Sequence, residues 1–320
     1  EGAWHLRAPE LPRRQGRLPR RHAAIHCLRA CDDRALFGIG AVAGSARRRR
    51  RQGRRQRRLH VLKAIILAAG RGERMRPLTD RVPKPLIEVG GKPLIVHHIE
   101  KLATLGCERV VINHAHLGEM IEAALGDGTR YGLTIDYSRE GEALETAGGI
   151  VRALPMLAEV FWVAAGDVWM PDFSFSREAY ESFQASQQLA HIWLVPNPAH
   201  NPRGDFGIAF DESSNSSRAN QGQAIGRAGV ALNLPADSPA PRWTFSTVAL
   251  YKKAFFESTW CDIRFGNPHG VKAPLAPMLR AAMDNGMVGA SLYEQTWSDV
   301  GTPERLAEIN KGSALHKDAV

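Results

Sequence analysis

The chain has 320 residues, a formal net charge of +9 and four cysteines. This length is sufficient for one large domain with a buried core, and so few cysteines in a chain of this size exclude a disulfide framework and favour a reducing compartment. The positive charge is confined to one end: residues 1–60 contain seventeen arginines, no lysine and four acidic residues, which gives 17 − 4 = +13 and leaves 9 − 13 = −4 for residues 61–320.

Residues 1–60 are predicted to be a disordered, arginine-rich extension. An unbroken run such as Arg47–Arg51 repels itself and offers few apolar side chains to bury. One interpretation is an arm for nucleic acid or another anionic surface. The other, which we favour, is an upstream segment unrelated to the domain, because regular patterns begin only near Val61. The mildly apolar stretch 35–46 is too short to cross a membrane, so we expect a cytoplasmic protein with no membrane partner.

From Val61 onward, short apolar runs alternate with amphipathic segments. The apolar runs predict strands at 64–69, 109–113, 133–137 and 160–165, and the helical periodicity predicts helices at 92–105, 118–125 and 146–157. Such alternation indicates parallel strands joined by right-handed crossovers. We therefore predict an α/β, Rossmann-like, mostly parallel sheet with helices on both faces over residues 61–314, followed by a tail at 315–320. Residues 211–242, rich in Ser, Asn, Ala and Pro, are predicted to be a surface insertion.

The first predicted strand ends in the turn Gly70-Arg71-Gly72, which is followed by Arg74, Arg76 and, between two prolines, Lys84. Glycines allow the backbone to approach a ligand closely, and ligands of such sheets lie beyond the carboxyl ends of the strands. This combination predicts a polyphosphate site. It is neither a Walker A loop, since GxxxxGK[ST] is absent, nor a dinucleotide fingerprint, since Met75 occupies the third glycine position.

Two aspartates complete the predicted site. Asp167 follows the fourth strand directly after a glycine, and Asp299 precedes a glycine turn and a helix that begins with Thr302 and Pro303. Either aspartate alone could be an ordinary turn or cap residue. Together, two carboxylates and phosphate oxygens suit Mg²⁺, which prefers hard oxygen ligands and keeps several waters. The polar loop at 140–149 leads into a helix whose amino end could receive a base or a phosphate.

Taken in order, these motifs resemble the sugar-1-phosphate nucleotidyltransferases, whose glycine turn, arginine and Pro-Lys-Pro segment fall on Gly70, Gly72, Arg74 and Lys84. Within that family, residues 62–314 are most similar to the bacterial N-acetylmuramate 1-phosphate uridylyltransferases of peptidoglycan recycling. The supporting segments are LAAGRGERMRPLT (67–79), PKPL (83–86), VVINHAHLG (110–118), LETAGGI (144–150), AGDVW (165–169), NPAHNPRGDFGI (197–208) and WSDVGTPERL (297–306). The segment at 197–208 discriminates most, because the general pattern of the family does not require it.

The resemblance implies a nucleotidyltransferase, or glycosyltransferase-A-like, fold and a transfer of the uridylyl group from UTP to a sugar 1-phosphate with release of pyrophosphate. In the catalytic step, Arg74, assisted by Arg71 or Arg76, would bind the pyrophosphate and Lys84 the α-phosphate. The remaining implied roles are nucleotide contacts from Ala69, Gly70, Gly72, Glu140, Thr146 and Gly148, sugar contacts from Glu145, sugar-phosphate contacts from Lys272, and Mg²⁺ ligation by Asp167 and Asp299. A sugar 1-phosphate is already an anionic nucleophile, so no general base is needed, and we expect His114 and His116 to be structural or cleft-lining.

Two positions depart from the usual pattern of the family. Ala165 stands where an asparagine is usual before Gly-Asp, and Thr247 stands where a glycine is usual. Both bear on the choice of sugar, so two alternatives remain: a nucleotidyltransferase with another pair, such as mannose 1-phosphate with GTP or glucose 1-phosphate with UTP or dTTP, and a nucleic-acid-binding protein that uses the basic arm.

Overall fold

The structure, a computed structural model, describes residues 61–210 and 227–317, with side chains up to Gly312. The predicted extension 1–60, with the basic arm considered as a nucleic-acid contact, lies outside the described residues, as do residues 211–226 of the expected insertion and 318–320 of the expected tail.

Strands and helices alternate along the described chain. The strands are β1 Lys63–Leu67, β2 Glu88–Val89, β3 Lys92–Pro93, β4 Arg109–His114, β5 Thr134–Arg139, β6 Val160–Ala165, β7 Val168–Trp169, β8 Ala190–Val195, β9 Gly207–Phe210, β10 Ala228–Leu232, β11 Thr244–Lys252, β12 Val288–Leu292 and β13 Ser298–Asp299. The helices are α1 Leu94–Leu105, α2 Gly118–Leu125, α3 Glu145–Ala153, α4 Arg177–Ala185, α5 Leu275–Asp284 and α6 Pro303–Lys317.

Nine of these strands form one sheet in the order β5-β4-β1-β6-β11-β8-β12-β10-β9. Strands β5, β4, β1 and β6 pair in parallel. Strand β11 runs antiparallel to both of its neighbours, β8 and β12 are parallel, and β10 is antiparallel to β12 and β9. Seven strands therefore point one way and two, β10 and β11, point the other, which confirms the predicted mostly parallel sheet.

The sheet is covered on both faces, as predicted. Alternate residues of β1 point to opposite sides, so Ala64 and Ile66 pack into a core with α1, α2 and α4, while Ile65 packs into a second core with α3 and α5. A smaller cluster of Met75, Ile87, Val89, Leu94 and Val300 lies beside the glycine turn, where Leu306 and Ile309 of α6 pack against it. This cluster fixes the turn against the last helix of the chain.

The predicted and observed elements agree closely in the parallel half of the sheet. Helix α2 and strand β6 have the predicted bounds, and the other predicted elements differ at their ends by a few residues. Helix α1 starts at Leu94 because Lys92 and Pro93 pair with Glu88 and Val89 in a short hairpin. Helix α6 continues to Lys317, three residues into the expected tail.

The expectation of a surface insertion over residues 211–242 is wrong for residues 228–232. They form β10, which lies inside the sheet between β12 and β9. The prediction failed because this strand is short and glycine-containing, and its apolar residues are interrupted within a Ser- and Asn-rich context. Where residues are described, no helix is both long and apolar enough to cross a membrane.

Candidate active site

A cavity of about 600 Å³ opens at the carboxyl ends of β1 and β6 and extends across β11 to α5. Six of the predicted site residues line it: Ala69, Gly70, Lys84, Glu145, Thr146 and Asp167. Six others are not part of its wall: Gly72, Arg74, Glu140, Gly148, Lys272 and Asp299. The sequence motifs thus converge on one region of the molecule, although half of the predicted residues lie outside the cavity wall.

The glycine turn after β1 is held from two sides. Ala68, which connects β1 to the turn, donates its backbone N–H to Oδ1 of Asn113 over 2.9 Å. Gly72 has a φ of 67°, and a Cβ there would come within 2.9 Å of the Thr79 methyl group, so the backbone conformation itself requires glycine. At Gly70, by contrast, an added Cβ would meet nothing within 4 Å. Gly70 therefore leaves the cavity wall open to the close approach of a ligand.

Lys84 and Asp167 form an ion pair in the cavity wall. The Lys84 side chain lies in the segment between Pro83 and Pro85 and is 8% exposed as a residue, whereas the Asp167 side chain is about one-third exposed. A nearly buried ammonium group is a positive charge with little freedom to move. A fixed charge in a partly desolvated wall acts strongly on an anionic ligand.

Asp299 reaches the same region through a short antiparallel ribbon. Strand β13 pairs with β7, with Asp299 opposite Val168, and Val300 donates its N–H to the Asp167 carbonyl over 3.0 Å. The Asp299 carboxylate contacts three basic side chains: Nη1 of Arg305 at 2.5 Å, Nε2 of His200 at 3.1 Å and Nη2 of Arg74 at 3.8 Å. Sequence reasoning found Arg74 but missed His200 and Arg305.

The two predicted metal ligands therefore belong to neighbouring segments, Asp167 in the turn before β7 and Asp299 in β13, and each also contacts a basic side chain. Within the described ranges, no group of three or more His, Cys, Asp and Glu side chains is arranged to hold a metal ion. A cation here would depend on the two carboxylates, with phosphate oxygens and water as its other ligands, which is the coordination that Mg²⁺ prefers. The donor chemistry of Asp167 and Asp299 fits that ion.

Arg74 is 65% exposed in its side chain and approaches the site only through Asp299. The two assisting arginines, Arg71 and Arg76, are also exposed, and Arg76 pairs with Asp80 at 3.1 Å. All three arginines thus have long, exposed side chains, Arg71 within the glycine turn and Arg74 and Arg76 in the segment that follows it, in contrast to the nearly buried Lys84.

A buried polar brace connects the turn to the loop before α3. Asn113, at the end of β4, donates Nδ2 to Oε1 of Glu140 over 2.6 Å, and the other Glu140 oxygen accepts the Leu144 N–H at 2.9 Å. Burial raises the pKa of the Glu140 carboxyl, and these hydrogen bonds oppose that rise. Both carboxylate oxygens thus have protein donors, so the direct contact predicted between Glu140 and the base stays a prediction. Asn113 was missed, although its β-strand was found, because nothing in the sequence marks it.

The amino end of α3 is engaged with the segment before α5. The N–H groups of Ala147 and Gly148 both donate to the Ala273 carbonyl, and a Cβ on Gly148 would lie 2.4 Å from the Val271 carbonyl oxygen. Gly148 therefore permits close packing of two backbone segments, and its predicted nucleotide contact is untested. Glu145, one turn earlier, lines the cavity and has a φ of 59°. This backbone conformation is energetically costly for a residue other than glycine, and residues held in it are typical of functional sites.

Lys272 does not line the cavity. Its Nζ pairs with Oε1 of Glu142 at 2.5 Å, and the two side chains are 47% and 79% exposed. This exposed pair joins the loop before α3 to the segment before α5, and its predicted contact with a sugar phosphate stays a prediction.

The far end of the cavity is built by the antiparallel half of the sheet. The segment at 197–208 delivers Asp205, whose carboxylate accepts the Phe245 N–H at 2.8 Å and Nδ2 of Asn201 at 3.1 Å. Thr247 lines the cavity with a φ of 67°, in an irregular stretch of the β11–β8 pairing. The usual glycine at this position is explained by that backbone angle. Ala165 also lines the cavity.

The last residue of β4, His114, and His116, two residues later, are not part of the cavity wall. His114 is buried and its Nε2 lies 2.7 Å from Glu122 Oε1, while Gly118 provides the space for its ring, since a Cβ there would come within 1.8 Å of the imidazole. His116 contacts the Thr79 carbonyl at 3.4 Å. This geometry agrees with the structural role expected for them.

Comparisons with known proteins identify the family of this chain. The family model described as nucleotidyl transferase matches residues 63–314. The chain belongs to the nucleotidyl transferase family.

Among curated relatives of this nucleotidyl transferase, N-acetylmuramate alpha-1-phosphate uridylyltransferase from Neisseria meningitidis is 44% identical over 254 residues, which covers 77% of this chain and 96% of that protein. A UTP–glucose-1-phosphate uridylyltransferase from Synechocystis is 39% identical over 118 residues, 33% of this chain and 30% of that protein. The solved inositol-1-phosphate CTP transferase from T. maritima superposes with a TM-score of 0.57 at 18% identity, over 79% of this chain and 96% of that one. The last likeness confirms the nucleotidyltransferase fold.

Proposed function

We propose that this chain transfers the uridylyl group of UTP to N-acetylmuramate 1-phosphate, giving UDP-N-acetylmuramate and pyrophosphate. The observation that carries the proposal is the match of nearly the full length of the Neisseria uridylyltransferase at 44% identity, together with the position of the 197–208 segment at the cavity. The sugar phosphate oxygen attacks the α-phosphorus of UTP, the bond from that phosphorus to the bridging oxygen breaks, and pyrophosphate leaves.

The cavity supplies positive charge and positioning. Lys84 holds the α-phosphate and stabilises the charge that develops there, because its nearly buried ammonium group is already oriented by Asp167. Gly70 allows the turn to approach the nucleotide, and Glu145 and Thr146 contact ligand from the opposite wall. Arg74, whose side chain is 65% exposed, binds the leaving pyrophosphate at the edge of the site. The attacking phosphate is already ionised, so positioning replaces a general base.

Asp167 and Asp299 would hold a divalent cation, which we propose is Mg²⁺. When bound, it would screen negative charge between the phosphates. This role requires the carboxylates of Asp167 and Asp299 to face the phosphates. Lys84 orients the Asp167 carboxylate, and Arg305 orients that of Asp299. Because UTP is an intracellular nucleotide, we place the reaction in the cytoplasm.

The proposal is tested by pyrophosphate release from the full chain, given UTP, GTP, dTTP, CTP or ATP with N-acetylmuramate, N-acetylglucosamine, glucose or mannose 1-phosphate, with and without Mg²⁺. We expect release with UTP and the muramate, dependent on the cation. Lys84→Met should lower kcat by about 10²- to 10³-fold, whereas Lys92→Met, at an exposed ion pair, should not.

Two outcomes would contradict the proposal. Preferred use of GTP with mannose 1-phosphate, or of glucose 1-phosphate with UTP or dTTP, would retain the fold and mechanism but assign another substrate pair. Equal rates for the Lys84→Met variant and the unmodified chain would refute the role of this lysine.

A further inference from the structure

The far end of the cavity contains an arginine that the proposed chemistry has not used. Arg280, on α5, lines the cavity beside Phe206 and Thr247, and it is half-buried. Lys84, the other cation in the wall, pairs with Asp167. Among the described residues, no carboxylate oxygen lies within 4.0 Å of the Arg280 guanidinium nitrogens. A half-buried guanidinium without a carboxylate partner is a candidate anion-binding group.

The Arg280 guanidinium is held in place by neutral groups. Its Nη1 donates to Oδ1 of Asn233 over 2.9 Å, and its central carbon lies 5.0 Å from the centre of the Phe206 ring. Asn233 is itself oriented by Asp284, whose two carboxylate oxygens accept its Nδ2 at 3.0 and 3.1 Å. These contacts fix one nitrogen and one face of the guanidinium. The described residues accept no hydrogen bond from its Nε or Nη2, and these are the two donors that a carboxylate can engage together.

The proposed substrate has an anion for these donors. N-acetylmuramate 1-phosphate is an N-acetylglucosamine 1-phosphate that carries a lactyl ether, and the lactyl carboxylate is ionised at neutral pH. Glucose, mannose and N-acetylglucosamine 1-phosphates have only the phosphate. Since Lys84 and the glycine turn lie at one end of the cavity and Arg280 lies at the other, the two anionic groups of a muramate can be bound by separate cations.

The acidic residues near Arg280 do not engage its Nε and Nη2 donors. Asp205, which also lines the cavity, has one oxygen bonded to the Phe245 N–H and the other to Asn201. Both Asp205 oxygens are thus engaged by donors of β11 and of the 197–208 segment. Asp284 is directed toward Asn233 by two contacts. The donors of Arg280 remain the positive feature of this wall.

We infer that Arg280 binds the lactyl carboxylate and so determines the preference of the enzyme for a carboxylated amino-sugar phosphate over its uncarboxylated counterpart. This inference rests on the proposed function. Asn233 and Asp284 are positioning residues, because they act on the substrate only through the orientation of Arg280.

The test is the ratio of kcat/KM for N-acetylmuramate 1-phosphate to that for N-acetylglucosamine 1-phosphate, measured with UTP on the full chain. For Arg280→Gln we expect this ratio to fall by about 10- to 100-fold, the range for loss of a hydrogen bond to a charged group. Arg280→Lys keeps the charge but not the forked donors, so its ratio should lie between the ratios of the unmodified chain and of Arg280→Gln. Arg227→Gln is the matched control, because Arg227 also stacks on an aromatic ring, that of Phe210 at 4.1 Å, but lies outside the cavity.

A change in the substrate provides an independent arm. The amide of the lactyl group, in place of the acid, should lower kcat/KM in the unmodified chain by a similar factor but cause little further loss in Arg280→Gln, because the two changes remove the same contact. If the unmodified chain prefers the muramate and Arg280→Gln leaves that preference unchanged, or lowers both substrates equally, the inference is wrong while the proposed function stands. If the unmodified chain does not use the muramate, the proposed function itself fails.

Discussion

The buried brace of Asn113 and Glu140 allows one prediction to be worked out in detail. Asn113 is 2% exposed and joins three segments: its Oδ1 accepts the Ala68 N–H, and its Nδ2 donates to Glu140, which in turn accepts the Leu144 N–H. In Asn113→Leu the side chain keeps nearly the same volume but loses both contacts. A hydrogen bond to a charged group contributes about 1.5–3 kcal/mol, and a buried N–H left without a partner costs about 1–3 kcal/mol.

The expected loss for Asn113→Leu is therefore about 3–5 kcal/mol, a large share of the ~5–15 kcal/mol that stabilises a typical protein. It should lower the melting temperature by about 10 °C for a domain of this size, and it should raise KM for UTP, because Ala68 lines the cavity and connects β1 to the glycine turn. Thermal unfolding followed by circular dichroism measures the first effect and initial rates measure the second. Asn285→Leu makes the same chemical change at an exposed position and controls for the substitution itself.

Asn113→Asp tests the electrostatics of the same brace. The Asp carboxyl can still accept the Ala68 N–H, but its other oxygen faces Glu140 across the present 2.6 Å contact. Two carboxyls this close share a proton, so their folded-state pKa is raised above the unfolded value near 4. The variant should then be least impaired below about pH 4 and lose stability as the pH rises toward the raised value. A shift of less than about 1 kcal/mol for Asn113→Leu, or an Asn113→Asp penalty independent of pH, would refute the reasoning.

Two further predictions follow from the backbone and from a buried histidine. Thr247→Gly should relieve a φ of 67°, so it should be about 1–2 kcal/mol less destabilising than Thr134→Gly on the exposed edge strand; equal losses in thermal unfolding would show that Thr247 is unstrained. Burial lowers the pKa of His98 to about 4, so the folded state loses up to about 3 kcal/mol relative to the unfolded state as the pH falls from 6.5 through 4. His98→Gln, which can still donate to the Val168 carbonyl, should flatten that dependence in denaturant unfolding, whereas the exposed His269→Gln should not; the same slope in all three proteins would contradict the assignment.

The parallel half of the sheet could be predicted because its signals are local. In β1 and β6 every residue except Lys63 is apolar, and β4 contains the apolar run Val110-Val111-Ile112, as expected for strands buried on both faces. Of the residues predicted from these local signals, Gly70 and Lys84 line the cavity. In the other half, β10 has the pattern Ala-Gly-Val-Ala-Leu with only Ala231 buried, and only its pairing with β12 and β9 makes it a strand. Nothing within five residues could reveal those partners.

The site residues that were missed have a common physical cause. Asn113, His200 and Arg305 are recognisable only by what they touch: a backbone N–H 45 positions earlier in the first case, and Asp299 in the other two. Conversely, Gly148 and Gly72 were found as glycines of a ligand loop, but the structure explains them by contacts with Val271 and Thr79. A glycine in the sequence indicates that the backbone comes close to something, and the sequence does not say whether that is a ligand or another part of the chain.

The junction between β6 and β11, where the strand direction reverses, divides the cavity into two parts. In the proposed reaction, the parallel half supplies Gly70, Lys84 and Asp167 for the phosphates that every nucleotidyl transfer has in common. The antiparallel half and α5 supply Phe206, Thr247 and Arg280 for the part that differs between one sugar phosphate and another. Because the two sets lie on different elements of the fold, we expect substitutions in the second set to change the preferred sugar without disturbing the first. This division predicts that Arg280 and Thr247 variants change the preference between sugar phosphates while kcat for nucleotidyl transfer is preserved.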